Sequence, residues 1–377
     1  MNILAKSQKV DDTTFMGRAI TLARRSLGGT SPNPIVGAVL VRARKIIGEG
    51  WHRGAGLPHA EVEAIQNCVS RGNKPRGAIL YVTLEPCSTQ GRTPACTKAI
   101  LHAGIKTVVV GAIDPNPKHA GRGLDLLIAA GVQVRRSSLE AKATALNPAF
   151  NHWIVTGRPL VTVKAAMSLD GKIATSTGES KWITGEKARL EGMNLRRKTD
   201  AILVGVNTLV ADDPSLTFRA KDPVTQQRLR RFVLDPTARI PIQSKVIVDD
   251  PHGLTTIVVN QSAAANRVRA LQNKVNVWVC PTKTKLDLDW VLAEMGRNNI
   301  TALLVEGGGE TNAEFLLNGY AQRIVFFYAP LIIGGREAKK SVAGLGIQRI
   351  KDAIPLTDLR MRWLGVDLML SARVETR

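Results

Sequence analysis

The chain has 377 residues, of which 44% are hydrophobic and 22% are charged, and its formal net charge is +21. This length suits two or three domains with cores of their own, and the composition excludes a disordered or fibrous chain. No stretch reaches the ~18 uninterrupted apolar residues of a membrane span, and the first thirteen residues contain no long apolar run. Four cysteines are too few for a disulfide framework, so we expect a cytoplasmic protein with no membrane partner.

The strong positive charge fits two kinds of partner. A basic surface binds nucleic acid through its phosphates, or it attracts small phosphorylated ligands. The sequence contains no zinc-finger, helix-turn-helix or RNA-binding signature, and aromatic residues make up only 4% of it. We therefore expect a phosphorylated small molecule and no nucleic acid, with a generally basic surface as the alternative.

The first predicted elements are a helix over 14–27 and a strand over 35–41. Between them stands Ser31-Pro32-Asn33-Pro34, a turn that cannot continue a helix. Asn33 lies at the entry to the strand and offers both an amide donor and an acceptor, which suits the edge of a pyrimidine. From the residues alone, a purely turn-forming role for Asn33 is equally open.

A metal site is predicted between His59 and Cys96. His59 precedes a predicted helix, Cys87 follows a predicted strand, and Cys96 falls in the first turn of a helix that we expect to begin at Pro94. One imidazole and two thiolates suit zinc and leave a fourth position open for water, as in catalytic sites. Glu61 stands where a carboxylate shuttles the proton of that water in the H-x-E…P-C-x-x-C signature of zinc deaminases. Isolated core or surface residues of these types are the alternative.

The spacing departs from the short motif, because nine positions rather than three separate Cys87 from Cys96. The longer loop over 86–96 resembles that of the bifunctional deaminase–reductase family of bacterial riboflavin biosynthesis. Further stretches that resemble this family cover 32–37, 114–117 and 305–308, so the resemblance extends over nearly the whole chain. Many members of the family carry His where Thr89 stands here, and Thr89 is assigned no role.

Strands and helices alternate over the first 140 or so residues, which predicts a layered α/β sandwich. Asp114 and Asn116 follow the predicted strand over 107–113, where open α/β sheets place their ligand contacts. Arg92, between the two cysteines, can bind a phosphate through paired N–H groups, or it can be a solvated surface residue. The resemblance implies a cytidine-deaminase-like fold for residues 1–148 and favours substrate contacts by Asn33, Arg92, Asp114 and Asn116.

Residues 147–159 combine turn formers with a few apolar anchors, so we expect a linker over 149–159 and a second domain over 160–377. Glu306-Gly307-Gly308-Gly309 stands between a predicted strand and a predicted helix. Such glycines let backbone N–H groups approach an anion, although a plain tight turn is the default explanation. Other predicted elements of this half are strands over 160–166, 200–205, 231–234, 255–259, 275–279, 300–305 and 323–328, and helices over 185–198 and 310–318.

The resemblance implies that the second half is a dihydrofolate-reductase-like α/β domain that uses NADPH. It assigns cofactor contacts to Ala166, Trp182, Thr208, Asp212, Gly308, Gly309, Glu310, Thr311, Asn312, Ala313 and Glu314. It assigns substrate contacts to Lys164, Ser180, Arg196, Leu216, Arg219 and Glu306. The residue types agree in part, because Lys164, Arg196 and Arg219 suit a ribose phosphate and Trp182 offers a flat apolar surface. Surface charges and a core aromatic ring are the alternatives.

We therefore expect a two-site enzyme. The first domain would be a zinc-dependent aminohydrolase that deaminates diaminohydroxyphosphoribosylaminopyrimidine, with His59, Cys87 and Cys96 as metal ligands and Glu61 as the catalytic residue. The second would be an NADPH-dependent oxidoreductase that reduces the ribosyl group of 5-amino-6-(5-phosphoribosylamino)uracil to ribityl. The alternatives are a nucleic-acid cytidine or adenosine deaminase with a basic accessory domain, a zinc-stabilised binding module, and a chain with one decayed site. The sequence leaves open whether the protein is a homo-oligomer and which group donates the reductase proton.

Overall fold

The computed structural model describes residues 2–89, 94–218 and 229–375, with side chains from residue 12 onward. The chain divides into two compact units, Met1–Gly157 and Arg158–Arg377. Each unit contains its own sheet and its own hydrophobic core. Among the described residues, no helix is both long enough and apolar enough to span a lipid bilayer.

The first unit is built on a five-stranded sheet with the order β2-β1-β3-β4-β5. β1 pairs antiparallel with β2 and β3, whereas β3, β4 and β5 run parallel, so their carboxyl ends share one edge. The strands are β1 Gly37–Arg42, β2 Lys45–Trp51, β3 Ile79–Leu84, β4 Thr107–Ala112 and β5 Gln133–Arg136. The helices are α1 Asn2–Ala23, α2 Ala60–Ser70, α3 Cys96–His102, α4 Arg122–Ala129, α5 Glu140–Thr144 and α6 Pro148–Thr156.

Successive residues of the strands face two different helical layers, as the twofold period of a strand requires. Leu80 and Val108 belong to a cluster with residues of α2, α3 and α4, whereas Tyr81 and Val109 pack with residues of α1. Full burial of a Leu or Val side chain contributes about 1.5–3 kcal/mol, so these two layers hold the sheet on both faces. The predicted layered α/β sandwich is thus confirmed, with helices on both faces of the sheet.

α1 begins earlier than predicted, at Asn2 rather than near residue 14, and is followed by a 3₁₀ turn at Arg24–Ser26. Apolar spacing marks only the part of a helix that packs on a core, and the buried face described for α1 begins at Phe15. The pattern therefore predicted the packed part of this helix and missed its beginning.

The segment predicted as a linker over 149–159 is mostly helical, because α6 covers Pro148–Thr156. Pro148 occupies the first turn, where its missing N–H leaves no hydrogen bond unmade. Gly157 closes the helix in the left-handed region at φ 70°. Pro148 and Gly157 therefore mark the two ends of α6. The division between the two units falls directly after Gly157.

The second unit is built on a nine-stranded mixed sheet with the order β11-β10-β9-β8-β12-β6-β13-β16-β15 among the described residues. In this order, the first seven strands, from β11 at the edge to β13, run parallel to one another. β16 pairs antiparallel with both β13 and β15. These strands are β6 Leu160–Ser168, β8 Ala201–Gly205, β9 Arg230–Leu234, β10 Thr255–Asn260, β11 Asn276–Cys280, β12 Ala302–Val305, β13 Arg323–Ala329, β15 Leu356–Leu364 and β16 Asp367–Val374. A separate ribbon pairs β7 Lys172–Ala174 with β14 Lys339–Lys340.

Helices cover both faces of this second sheet. One core cluster contains Val161, Leu203 and Phe315, and the other contains Ile202 and Val204 from the opposite face of β8. The helices are α7 Glu186–Arg197, α8 Val206–Asp212, α9 Lys245–Val248, α10 Ala265–Gln272, α11 Leu288–Arg297 and α12 Gly309–Leu317, with a 3₁₀ turn at Ile350–Asp352. α8 and α12 each begin within four residues of a parallel strand's end, so loops at the carboxyl edge lead directly into helix starts.

Candidate active sites

Three side chains from three different elements converge in the first unit. His59 is the residue before α2, Cys87 follows β3, and Cys96 is the first residue of α3. Their ligand atoms all lie within 4.8 Å of one another, with His59 Nδ1 3.1 Å from Cys96 Sγ and 3.6 Å from Cys87 Sγ. Tetrahedral bonds of about 2.0–2.3 Å to zinc would separate such atoms by roughly 3.5 Å. The donor set therefore fits zinc in both chemistry and spacing.

α3 begins two residues later than predicted, at Cys96 rather than Pro94, because Ala95 has the extended value ψ 131°. The backbone N–H of Cys96 donates to Cys87 Sγ at 3.3 Å. A helix N-terminus favours negative charge, so this contact stabilises the thiolate that a metal requires.

The pKa values of the Cys87 and Cys96 thiols are shifted in opposite directions. The hydrogen bond from the Cys96 thiol, aided by His59, lowers the pKa of Cys87 to about 4 despite its burial. The same hydrogen bond, together with burial, raises the pKa of the Cys96 thiol. The pKa of His59 is raised in turn, chiefly by its hydrogen bond to Cys87. A negative charge is thus already favoured among the three ligand atoms.

Glu61 lies in the first turn of α2, and only 3% of it is exposed. Burial raises the pKa of its carboxyl group to about 7, and the neighbouring charge of Cys87 adds to this effect. A carboxyl group with a pKa near 7 can accept and release a proton at neutral pH. Its position and protonation chemistry agree with the predicted role of Glu61.

Asn33 contacts a residue that the sequence analysis did not select, His52. The buried His52 ring directs Nδ1 at the Pro58 carbonyl at 3.1 Å and Nε2 at Asn33 Nδ2 at 3.1 Å. Burial lowers the pKa of His52, so the neutral ring donates from Nδ1 and accepts at Nε2. This arrangement fixes the orientation of the Asn33 amide. The available sequence signal was the position of His52 directly after β2, seven residues before His59.

Asp114 and Asn116 follow β4 on the loop that leads to α4. Asp114 Oδ1 accepts the Asn116 N–H at 2.9 Å, and Asn116 Oδ1 accepts the Lys118 N–H at 3.0 Å. Burial raises the pKa of the Asp114 carboxyl group. Each side chain thus shapes its own turn, and Arg92, the fourth predicted substrate contact of this unit, lies outside the described residues.

In the second unit, three predicted substrate residues form a compact ion cluster. Arg196 Nε and Nη2 donate to the two carboxylate oxygens of Glu306 at 2.9 and 3.0 Å, and Lys164 Nζ lies 3.5 Å from Glu306 Oε2. Burial alone would raise the pKa of Glu306, but the charges of Arg196 and Lys164 hold it near 2. Arg196 Nη1 also donates to the Thr217 carbonyl at 2.9 Å. One carboxylate and two cations leave this cluster with a net positive charge.

Other predicted site residues of the second unit lie shortly before α7 and around the end of α8. The structure brings only some of them into contact with one another. Ser180 Oγ donates to Asp212 Oδ1 at 3.2 Å. Trp182 is 68% exposed, with the Arg189 guanidinium carbon 4.6 Å from its ring centroid. Leu216 is buried at φ 52°, and Arg219 lies outside the described residues.

The glycine segment before α12 packs closely against Thr311. A Cβ on Gly307 would lie 2.5 Å from Thr311 Cβ, and one on Gly205 would lie 2.6 Å from Thr311 Oγ1. Only glycine therefore lets the ends of β8 and β12 approach this helix so closely. Thr208 Oγ1 lies 3.6 Å from the position that a Cβ on Gly308 would take. Backbone N–H groups at such a helix start favour an anion, which fits the pyrophosphate of a dinucleotide.

Three other predicted cofactor residues of α12 have side chains that are buried or already paired within the unit. Asn312 is fully buried and donates to the Ser341 carbonyl at 2.8 Å, while its buried Oδ1 has no partner among the described residues. Ala313 is also buried, and Glu314 forms an ion pair with Lys285 at 2.7 Å. Glu310 is exposed, and Ala166 is half-buried on β6.

Two family models match the chain, one in each half. The cytidine and deoxycytidylate deaminase zinc-binding region matches residues 9–112, and the RibD C-terminal domain matches residues 159–370. The first match includes His59, Cys87 and Cys96, the three side chains that converge in the structure.

Relatives match over nearly the full length. The riboflavin biosynthesis protein RibD of Actinobacillus pleuropneumoniae is 41% identical over 95% of this chain and 94% of its own length. That of Escherichia coli (strain K12) is 35% identical over 96% and 99%. A structure of Acinetobacter baumannii RibD aligns with a TM-score of 0.87, 33% identity and coverage of 97% and 99%. The deaminase/reductase structure from Thermotoga maritima aligns with a TM-score of 0.82, 32% identity and coverage of 98% and 100%.

These matches confirm the predicted resemblance and the predicted fold class. They also confirm that the chain combines a zinc-binding deaminase domain with a reductase domain. The chain therefore belongs to the RibD family, the bifunctional deaminase–reductases of riboflavin biosynthesis.

Proposed function

We propose that this chain deaminates diaminohydroxyphosphoribosylaminopyrimidine in its first unit and reduces 5-amino-6-(5-phosphoribosylamino)uracil in its second. The Thermotoga maritima relative is described by these two activities. The observation that carries the proposal is the convergence of His59, Cys87 and Cys96 within 4.8 Å, next to the buried carboxyl group of Glu61. In this proposal the substrate is a phosphorylated small molecule, in keeping with the net charge of +21.

His59, Cys87 and Cys96 would hold the zinc ion. Zinc in such a donor set supplies a Lewis acid that makes a water molecule nucleophilic at neutral pH. Glu61 accepts a proton from the attacking water and delivers it to the amine nitrogen of the substrate. A C–O bond forms, the C–N bond breaks, and ammonia leaves. The pKa of Glu61 near 7 suits both halves of this transfer.

Substrate recognition in the first unit is assigned to three parts of the site. Asn33, oriented by His52, presents its amide to the pyrimidine ring. Asp114 and Asn116 approach from the carboxyl edge of the sheet, and Arg92 is assigned to the phosphate because a guanidinium matches phosphate oxygens in pairs.

The second unit would bind NADPH at the carboxyl edge of its parallel strands. NADPH supplies the hydride that converts the ribosyl group to ribityl. Gly308, Gly309 and Thr208 would hold the pyrophosphate at the start of α12. The predicted cofactor set is completed by Asp212 at the end of α8 and, on α12, by Glu310, Thr311, Asn312, Ala313 and Glu314. Ala166 and Trp182 offer apolar contact to the flat parts of the cofactor.

The phosphorylated substrate of the second unit would lie against the cluster of Lys164, Arg196 and Glu306. Glu306 fixes both cations, so their remaining N–H groups are oriented before the substrate arrives. Ser180, Leu216 and Arg219 are assigned to the same substrate. The net positive charge of the cluster suits its phosphate.

The decisive experiment supplies the pyrimidine phosphate to the purified protein with and without NADPH. The parent should release ammonia in both cases and should oxidise NADPH only after deamination. Glu61→Ala should retain its zinc and release no ammonia, yet still oxidise NADPH when given the deaminated compound. Glu63→Ala, on the same helix and paired with Arg53 at 3.3 Å, is the matched control and should behave as the parent. Ammonia release by Glu61→Ala at the parent's rate would refute the assignment.

A further inference from the structure

Glu85 has no part in the mechanism above, yet its buried carboxylate receives three backbone hydrogen bonds. It follows β3 directly and stands two residues before Cys87, and only 6% of it is exposed. Oε2 accepts the N–H of Asp114 at 3.2 Å and that of Gly121 at 3.0 Å, and Oε1 accepts the N–H of Gly123 at 2.9 Å.

These three donors lie at the two ends of one loop. We call residues 114–121, between β4 and α4, the recognition loop, because it carries Asp114 and Asn116. Asp114 is its first residue and Gly121 its last, while Gly123 lies in the first turn of α4. A single carboxylate thus ties both ends of the loop to one position. The backbone N–H of Glu85 itself donates to the Ala112 carbonyl at 2.8 Å, so this position continues the pairing of β3 with β4.

At the start of α4, Gly123 packs closely against Glu85 and Pro86. A Cβ on Gly123 would lie 2.1 Å from the Pro86 carbonyl oxygen and 3.2 Å from Glu85 Oε1. Glycine therefore allows α4 to begin directly against the segment that leads to Cys87. Since the Cys87 carbonyl also accepts the Thr97 N–H at 3.2 Å, this segment is fixed on both sides of Pro86.

Only a carboxylate satisfies all three donors. An ionised carboxylate has acceptor sites alone, and its hydrogen bonds are stronger than those between neutral groups. A glutamine of the same shape would direct an NH₂ group at one or more of these N–H groups, because both oxygens are engaged. Replacement of one carboxylate oxygen by an NH₂ group is therefore enough to remove a hydrogen bond that holds one end of the recognition loop.

We propose that Glu85 is a positioning residue for substrate recognition by the deaminase. It holds the recognition loop at a fixed place relative to Cys87, so that Asp114 and Asn116 meet the substrate in register with the metal ligands. This inference rests on the proposed deaminase function and on the substrate contacts assigned to the loop. If Glu85 only filled space in the core, its replacement by the isosteric Gln would leave substrate binding unchanged.

Glu85→Gln tests the proposal in the zinc-loaded, full-length protein. We expect one zinc per chain, a kcat for deamination within about threefold of the parent, and a KM for the pyrimidine phosphate raised about tenfold. Reduction of the deaminated compound, supplied directly, serves as the internal control and should be unchanged. Glu49→Gln is the matched control, because it removes a carboxylate of the same unit that pairs with Arg18 at 2.6 Å.

Amide hydrogen exchange gives a readout that does not depend on activity. In the parent, the N–H groups of Asp114, Gly121 and Gly123 should exchange as slowly as those of β4, and in Glu85→Gln at least one should exchange about tenfold faster. The added Cβ of Gly123→Ala would separate the start of α4 from the Pro86 carbonyl, so this variant should also raise the KM for the pyrimidine phosphate.

Three results would overturn the proposal: an unchanged KM in zinc-loaded Glu85→Gln, loss of zinc and kcat while the loop amides stay protected, or rapid exchange of the three amides in the parent. Absence of ammonia release by the parent would refute the proposed deaminase function instead. The exchange measurements would still test whether Glu85 fixes the loop.

Discussion

Arg196 and Glu306 form a two-point ion pair although they lie 110 residues apart, with both carboxylate oxygens engaged at 2.9 and 3.0 Å. Both side chains are largely buried, at 13% and 12% exposure. Removal of one partner from a buried pair leaves the other charge without compensation and costs about 3–5 kcal/mol. The pair therefore contributes to the stability of the second unit, and both of its members belong to the substrate contacts proposed there.

Replacement of Glu306 by Gln should reduce stability in a pH-dependent way. The pKa of Glu306 is about 2, below its ordinary value of 4.5, because Arg196 and Lys164 outweigh the effect of burial. The stabilisation is therefore fully present above pH 4.5 and is lost as the pH falls towards 2. Urea unfolding of the parent and of Glu306→Gln should differ by about 2 kcal/mol less at pH 3 than at pH 5. Glu337→Gln, an exposed carboxylate, is the control, and a difference that does not depend on pH would contradict this account.

Removal of zinc should abolish deamination and leave reduction intact, because all three assigned ligands belong to the first unit. We expect Cys96→Ser to bind zinc at least tenfold more weakly, since a hydroxyl is a poor substitute for a thiolate. Cys68→Ser, at a buried cysteine outside the site, should retain its zinc. Metal content and both activities are measured on each variant after dialysis against a chelator. Parent-like zinc content in Cys96→Ser would remove Cys96 from the ligand set.

Replacement of His52 by Ala should weaken substrate binding more than it slows catalysis. His52 accepts from Asn33 Nδ2 at 3.1 Å, and without it the Asn33 amide loses its fixed orientation. We expect the KM for deamination to rise about fivefold to tenfold, as for the loss of one hydrogen bond, with zinc content unchanged. His102→Ala, at an exposed position on α3, is the control. A change in kcat alone would assign His52 to the chemical step instead.

Gly205→Ala should destabilise the second unit, and Thr311→Ala should restore it. The new Cβ would lie 2.6 Å from Thr311 Oγ1, whereas the next Thr311 atom is 3.9 Å away. Overpacking of this kind costs about 1–3 kcal/mol. Thermal unfolding should therefore show a lower midpoint for Gly205→Ala and recovery of most of the loss in the double variant. The absence of recovery would mean that the loss of stability does not come from the contact with Thr311 Oγ1.

The sequence predicted the convergence of His59, Cys87 and Cys96 because these residues stand next to local signals. Proline and acidic residues marked the start of α2 after His59, and an apolar run marked β3 before Cys87. The beginning of α1 was less predictable, since side-chain periodicity reports the packed face of a helix rather than its first residue. The beginning of α3 differs by two residues from the position that Pro94 indicated, which is the usual uncertainty of a helix end. In the segment 147–159, Pro148 begins α6 and Gly157 ends it, while the division between the two units falls directly after Gly157.

Other features could not be read from residue order. His52 and Glu85 lack any motif of their own, and only the structure shows their contacts with Asn33 and with the amides of Asp114, Gly121 and Gly123. The sequence by itself predicted the α/β class, the family and the three side chains that converge at the candidate metal site, because these depend on local patterns and on residue types. Only the tertiary structure decided which partner each buried polar group takes, because those partners come from distant strands and loops that meet at one edge of a sheet.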